Sequence, residues 1–300
     1  MKKKISGILA ALVFLTGLGI FIYPKLSDQW NRYCQSKVIN SYEEEIVQLE
    51  DTDLEAPWLA AKEYNQSITY NTFLGDVFSE EESEGKETEY WSLLNVGNNG
   101  VMGYVSIPKI NQKLPIYHGT SDLVLQNGVG HLQGTKLPVG GENSHSVLAG
   151  HRGLPSAELF SDIDKLEIGD KFYIHVLDEV LAYEVDQILP MIPKEDVETL
   201  SAAMQNEEGQ DYVTLFTCTP YGVNSHRLLV RGSRVEYNGE DDAPITTEIT
   251  TETVTKSIKE YYMFYAIAAA AVIAVTAAII KTIRKLRSVK GSREEKNEKV

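Results

Sequence analysis

The chain has 300 residues, 43% of them hydrophobic and 24% charged. That is enough for one large domain or two modest ones with a buried core, and it excludes wholesale disorder and a multi-span channel. The 28 Lys and Arg against 43 Asp and Glu give a net charge of -15, a sign that repels phosphates and leaves no nucleic-acid partner expected.

The chain begins with Lys2, Lys3 and Lys4, then an apolar run over residues 5–23 that stops at Pro24. The run is close to the about 20 residues needed to cross a bilayer core. No small-residue cleavage site follows Tyr23, which favours a retained signal anchor over a removed signal peptide. Residues 27–49 carry Trp30, Tyr33, Val38, Tyr42, Ile46 and Leu49 at helical spacing, and Ala56 and Pro57 open a second helical stretch reaching 64–68. Acidic runs at 43–55 and 80–89 read as solvated faces and linkers.

From Gly100 onward the pattern changes to short strands cut by Gly and Pro, at 103–107, 114–117, 146–149, 171–176, 181–188, 212–217 and 226–236. Strands at this spacing suggest a closed barrel or sandwich, and closure would remove exposed edges. A Thr-rich stalk is expected at 246–255. Residues 261–280 form a second apolar run, opened by Tyr261, Tyr262, Phe264 and Tyr265 and followed by Lys281, Arg284, Lys285, Arg287 and Lys290. Basic residues at the outer end of both runs place both termini in the cytoplasm and everything between them outside. Residues 24–260 hold 17 Lys and Arg against 40 Asp and Glu, a net of -23, so the exported part is strongly acidic.

Two cysteines, Cys34 and Cys218, are too few for a disulfide scaffold and lack the spacing of a structural zinc site, so no metal is expected and thiol chemistry must rest on one sulfur. Cys218 ends an apolar strand just before Thr219, Pro220, Tyr221 and Gly222, which exposes its thiol to substrate. A free thiol has a pKa of about 8.5 and needs a nearby cation to ionise near neutrality. Arg227 lies across the turn, where an antiparallel return brings it beside the sulfur as a fixed charge and hydrogen-bond fork. It could hold an oxyanion or the substrate backbone. His151, between Gly150 and Arg152, is the natural proton carrier at another strand end. His118, His131, His145, His175 and His226 compete with it, and composition does not rank them; His226 adjoins Arg227 and so points to the opposite strand face. Cys34 sits in the first helix near the membrane and is assigned no catalytic role.

The run Thr214, Leu215, Phe216, Thr217, Cys218, Thr219, Pro220, Tyr221, Gly222, Val223, Asn224, Ser225, His226, Arg227 and Leu228 resembles the active-site signature of sortases, close to the pilus-assembling class C version. Gly150, His151, Arg152 and Gly153 resemble the catalytic histidine segment of that family, and segments 107–110, 114–119 and 128–132 resemble its early strands and connections. The likeness spans about 95–235, and two membrane segments around one exported domain also suit class C.

The resemblance implies a mainly β fold: a closed sortase-type β-barrel with N-terminal helices and a transmembrane helix at each end. The expected segments are an anchor at 1–23, a helical region at 24–94, the barrel at 95–237, the stalk at 238–260, a second span at 261–280 and a basic tail at 281–300. It implies Cys218 as nucleophile, His151 as general acid/base and Arg227 as substrate positioner and oxyanion stabiliser. The partners implied are pilins with LPxTG-like sorting signals, an acceptor pilin lysine and membrane lipid. The thioester conserves the energy of the cleaved bond, so no nucleotide or other cofactor is expected. The class also carries an Asp-Pro-aromatic lid; the positional match is Asp76, Val77 and Phe78, where the missing Pro would loosen the turn. Pro57 and Trp58 are a more distant second match. A catalytically idle, membrane-tethered β domain that binds surface proteins, and a cysteine peptidase that only hydrolyses, are the alternatives.

Overall fold

Strand formation in the body follows its β-branched and aromatic content: Val101–Ile107 is buried along its whole length, as is Asp211–Thr219 apart from its first residue. In this computed structural model residues 2–49, 51–69, 78 and 88–239 are described, with side chains from residue 13 onward except at 51, 52 and 88. Eight strands close into a barrel: β1 (Val101–Ile107), β2 (Gln112–His118), β3 (Val129–His131), β4 (Ser144–Ala149), β5 (Lys171–Val176), β6 (Glu179–Pro193), β7 (Asp211–Thr219) and β8 (His226–Val235). Around the barrel they run β1-β2-β3-β4-β7-β8-β6-β5. The β2/β3 and β4/β7 pairs are parallel and the others antiparallel. Closure needs β1 and β5 to approach closely, and a Cβ at Gly103 would stand 2.2 Å from the His175 carbonyl oxygen.

Among the described residues three helices precede the barrel: α1 (Lys2–Gln48), α2 (Asp51–Ser67) and α3 (Thr88–Ser92). Ile39, Tyr42 and Ile46 of α1, Leu54, Ala61 and Tyr64 of α2 and Tyr90 of α3 join the same core as the barrel side chains, at the i, i+3, i+7 spacing of one helix face. Polar bonds fix the docking. The Tyr42 hydroxyl donates to the Met102 carbonyl at 3.1 Å and accepts from the Leu177 N–H. The Asn65 side chain bonds both the C=O and the N–H of Leu137, at 3.0 and 2.7 Å.

The structure departs from the sequence reading in several elements. α1 continues through Pro24, since a single Pro removes one i to i-4 bond that a long helix can lose. β3, three residues long, and the short helices α3, α4 (Asp122–Asn127) and α5 (Val197–Ala203) are too brief for a periodic signal. β6 extends well past 188 because bulges carry its pairing with β8 on to Pro193. Among the described residues no helix is long and apolar enough to cross a membrane. The expected spans at 5–23 and 261–280, the stalk at 246–255 and the basic tail fall partly or wholly outside the described residues. Residues 28–250 make up one unit, and the site below lies within it.

Candidate active site

Three neighbouring strands set the site. In β7 and β8 the antiparallel register opposes Cys218 to Arg227, and Arg227 also stands opposite Ile192 of β6. In β4 and β7 the parallel register runs from Ser144 with Asp211 to Ala149 with Phe216. Continued two positions, that register brings His151 opposite Cys218. The ladder does continue: the Gly150 N–H donates to the Phe216 carbonyl at 3.0 Å, and the Thr217 hydroxyl donates to the Gly150 carbonyl at 2.6 Å. His151, Cys218 and Arg227 thus form one row across adjacent strand ends.

Each member of the row is held by its surroundings. Cys218 is 5% exposed and Arg227 2%, so the strand-end thiol is buried and not exposed as its position before the turn suggested. Arg227 Nη1 donates to the carbonyls of Asn224 and His226 at 2.9 and 2.8 Å, so the turn's own backbone orients the guanidinium. The His151 carbonyl accepts from the Phe160 N–H at 3.1 Å, and a Cβ at Gly150 would strike the Phe160 ring at 2.6 Å, which fixes how the loop leaves β4. Burial pushes the His151 imidazole below the usual histidine range, with the Asp122 carboxylate of α4 pulling the other way. A neutral imidazole that can take a proton results.

Phe78 lies over this row. Its ring stacks on Phe216 with centroids 5.7 Å apart, sits 5.5 Å from the His151 ring, and receives the Arg227 guanidinium at 5.3 Å. Phe216 is two positions from Cys218 on the same strand, hence on the same face. Asp76, the other expected lid residue, lies outside the described residues, as does Val77.

The remaining histidines are bound into the scaffold. His131 Nε2 faces the Lys136 carbonyl at 2.8 Å and Nδ1 the Tyr90 hydroxyl at 2.9 Å. His145 is held between the Gln205 carbonyl and the Thr214 hydroxyl, and burial pushes both rings down to about 4. The ring nitrogens of His118 face the carbonyls of Gly100 and Leu93. His175 stacks on Tyr104 at 4.2 Å on the far side of the barrel, and His226 Nδ1 contacts the Ser225 hydroxyl at 2.8 Å. Among the described residues no group of three or more His, Cys, Asp or Glu is arranged to hold a metal ion.

Residues 105–235 match the sortase domain family. The chain is 46% identical to the crystal structure of Streptococcus pneumoniae sortase C, a match covering 67% of this chain and 98% of that one with a TM-score of 0.59. It is 45% identical to sortase C1 of Streptococcus agalactiae over 67% of this chain and all of that one, with a TM-score of 0.60. A curated relative, sortase SrtE2 of Streptomyces coelicolor, is 28% identical over 189 residues, which is 56% of this chain and 74% of that one. The chain belongs to the sortase family. It is a cysteine transpeptidase, and its structural neighbours include class C sortases.

The roles of several residues of this sortase's site are not visible in the sequence. Phe216 belongs to the signature run but its role was not readable there, since its place under Phe78 depends on a segment more than a hundred positions away. The hydroxyls of Thr217 and Thr219 flank the nucleophile position, yet a threonine in a strand is ordinarily read as strand propensity. Asp122, whose charge acts on His151, comes from a six-residue helix in the parallel β2/β3 crossover. Cys34 is exposed on α1 and takes no part in the row.

Proposed function

We propose that this sortase joins pilin subunits at the outer face of the membrane. Cys218 attacks the carbonyl of the Thr in an LPxTG-like sorting signal, His151 takes the thiol proton and returns one to the leaving amine, and Arg227 holds the substrate and the developing oxyanion. The bond to the following residue breaks and a thioester to Cys218 forms. A lysine amine of the next pilin then attacks the thioester, an isopeptide bond forms, and the thiol is released. Energy passes from peptide to thioester to isopeptide, so the cycle requires no nucleotide.

The strand register, which opposes Cys218 to Arg227 and, extended from β4, sets His151 level with Cys218, supports this reading and carries it. It also favours an active enzyme over an idle tethered domain, since the register that opposes Cys218 to Arg227 and runs from β4 toward His151 supports a shared site. The assignment to pilins draws on the neighbours: the pneumococcal sortase C structure is described in terms of pilin substrate specificity. Two membrane anchors, with the body outside and both termini in the cytoplasm, are inferred from residues 5–23, 261–280 and their basic flanks. Phe78 is the cover of the closed site, with Asp76 as its expected companion opposite Arg227.

Incubating the full chain in detergent with a sorting-signal peptide and a lysine-bearing pilin tests transfer against hydrolysis. Isopeptide-linked product that depends on the pilin lysine supports the reading; release of the free acid alone, at the same rate with and without pilin, contradicts it.

A further inference from the structure

We propose that Arg152 is a positioning residue which, with Thr219, carries the β4/β7 register past the end of the backbone ladder and keeps His151 opposite Cys218. The proposal rests on the reading of His151 and Cys218 as reacting groups. Backbone pairing of the two strands stops at the Gly150 N–H, and side chains take over. Thr217 bonds the Gly150 carbonyl, and Arg152 Nη1 donates to Thr219 Oγ1 at 3.1 Å. Each bond joins residues 67 positions apart, the same offset that pairs Ala149 with Phe216. His151 and Cys218 are the pair between them, so the flanking residues of each are stitched to the flanking residues of the other.

Arginine suits this place for a geometric reason. Its planar fork reaches three acceptors on two segments: Nη1 to Thr219 at the end of β7, and Nε to the Ser161 carbonyl at 3.1 Å and Nη2 to the Asp164 carboxylate in the loop after His151. The Arg152 side chain is 9% exposed, so its bonds to Thr219 and the Ser161 carbonyl are partly shielded from competing water, while the Asp164 end lies at the surface. Lysine would offer a point charge on a flexible stem and could not span the same three acceptors. A base must lie within hydrogen-bond reach of its proton, and a displacement of about 1 Å can cost about 100-fold in rate.

Arg32 supplies the comparison. From α1 it grips the same loop region through Glu158, with Asp28 and the Asn111 carbonyl as its other partners, and its partners lie outside β7. Loosening the loop alone should therefore show in both arginine variants, whereas loss of register should show only in one.

The test measures sorting-peptide turnover and thermal unfolding of the full chain for Arg152→Ala, Arg152→Lys, Thr219→Val, Arg152→Ala with Thr219→Val, and Arg32→Ala. Arg152→Ala should lower kcat about 10- to 100-fold with KM within about twofold. Arg152→Lys should restore little, and Thr219→Val should fall in the same direction by less. The double variant should be no worse than Arg152→Ala, and Arg32→Ala should stay within about twofold of wild type. In parallel, NMR titration of the His151 ring should move toward the ordinary histidine range in Arg152→Ala, because the ring gains solvent. Unchanged kcat with unchanged titration, or equal losses in Arg152→Ala and Arg32→Ala, would overturn the proposal. A wild-type chain without turnover would refute the transpeptidase reading instead, and the titration would still decide whether Arg152 places His151.

Discussion

Replacing Phe78 with Ala removes a ring that contacts Phe216, His151 and Arg227 at centroid distances of 5.7, 5.5 and 5.3 Å. Aromatic pairs contribute about 0.5–1.5 kcal/mol each and a cation–π contact about 0.5–1. Taken together the three contacts are worth about 1.5–4 kcal/mol to the closed position, and at 1.4 kcal/mol per factor of ten the open fraction should rise by about 10-fold at least and up to several hundred-fold. Cys218 is buried while Cys34 is exposed, so the comparison belongs in a Cys34→Ser background, where Cys218 is the remaining thiol. The assay is the pseudo-first-order rate of Cys218 modification by a small methanethiosulfonate reagent, followed by mass. Acceleration by about 10-fold or more, with little change in barrel stability, is expected. A rate within about twofold of the parent would mean that Phe78 does not limit access, and the cover would have to be abandoned.

Two further outcomes follow from the geometry. Arg227→Lys keeps the charge but loses the fork that Asn224 and His226 orient; turnover should fall about 100- to 1000-fold while the Cys218 thiol remains modifiable, and near-normal turnover would remove Arg227 from oxyanion stabilisation. Acid should destabilise the fold through His131 and His145, whose rings burial pushes down to about 4. The unfolded chain binds protons at about 6.5 and the folded one does not, so stability is intact above about pH 6.5 and declines as pH falls toward 4. At pH 5 each ring should cost about 2 kcal/mol relative to pH 7.5. Denaturant midpoints at the two pH values check this, and His145→Gln should flatten the dependence; an equal slope in the variant would contradict the assignment.

Much of the barrel was legible because its strands are long, apolar and punctuated by Gly and Pro. Cys218 and Arg227 could be paired from sequence for a local reason: one turn separates them, and an antiparallel return has only a few registers to choose from. His151 was harder. Excluding His145 requires Gln205 and Thr214, 60 and 69 positions away, and excluding His131 requires Tyr90, 41 positions before it. Such partners are properties of the closed sheet, not of any window of sequence. The β4/β7 register is illegible for the same reason, since two intervening strands and α5 separate β4 from β7, and with it went the roles of Thr217, Thr219 and Arg152. Phe78 could be picked out only by its likeness to a family motif. Its neighbourhood is polar and acidic, and nothing in its own periodicity points to Phe216.

The sharpest single measurement is intact mass after mixing the full chain with a sorting-signal peptide, on wild type and on Cys218→Ala. A mass increase equal to the acyl fragment, localised to Cys218 and lost in the variant together with turnover, is the expected result. Turnover that persists in Cys218→Ala, or an adduct on another residue, would contradict the assignment of the nucleophile and the acyl-transfer mechanism built on it.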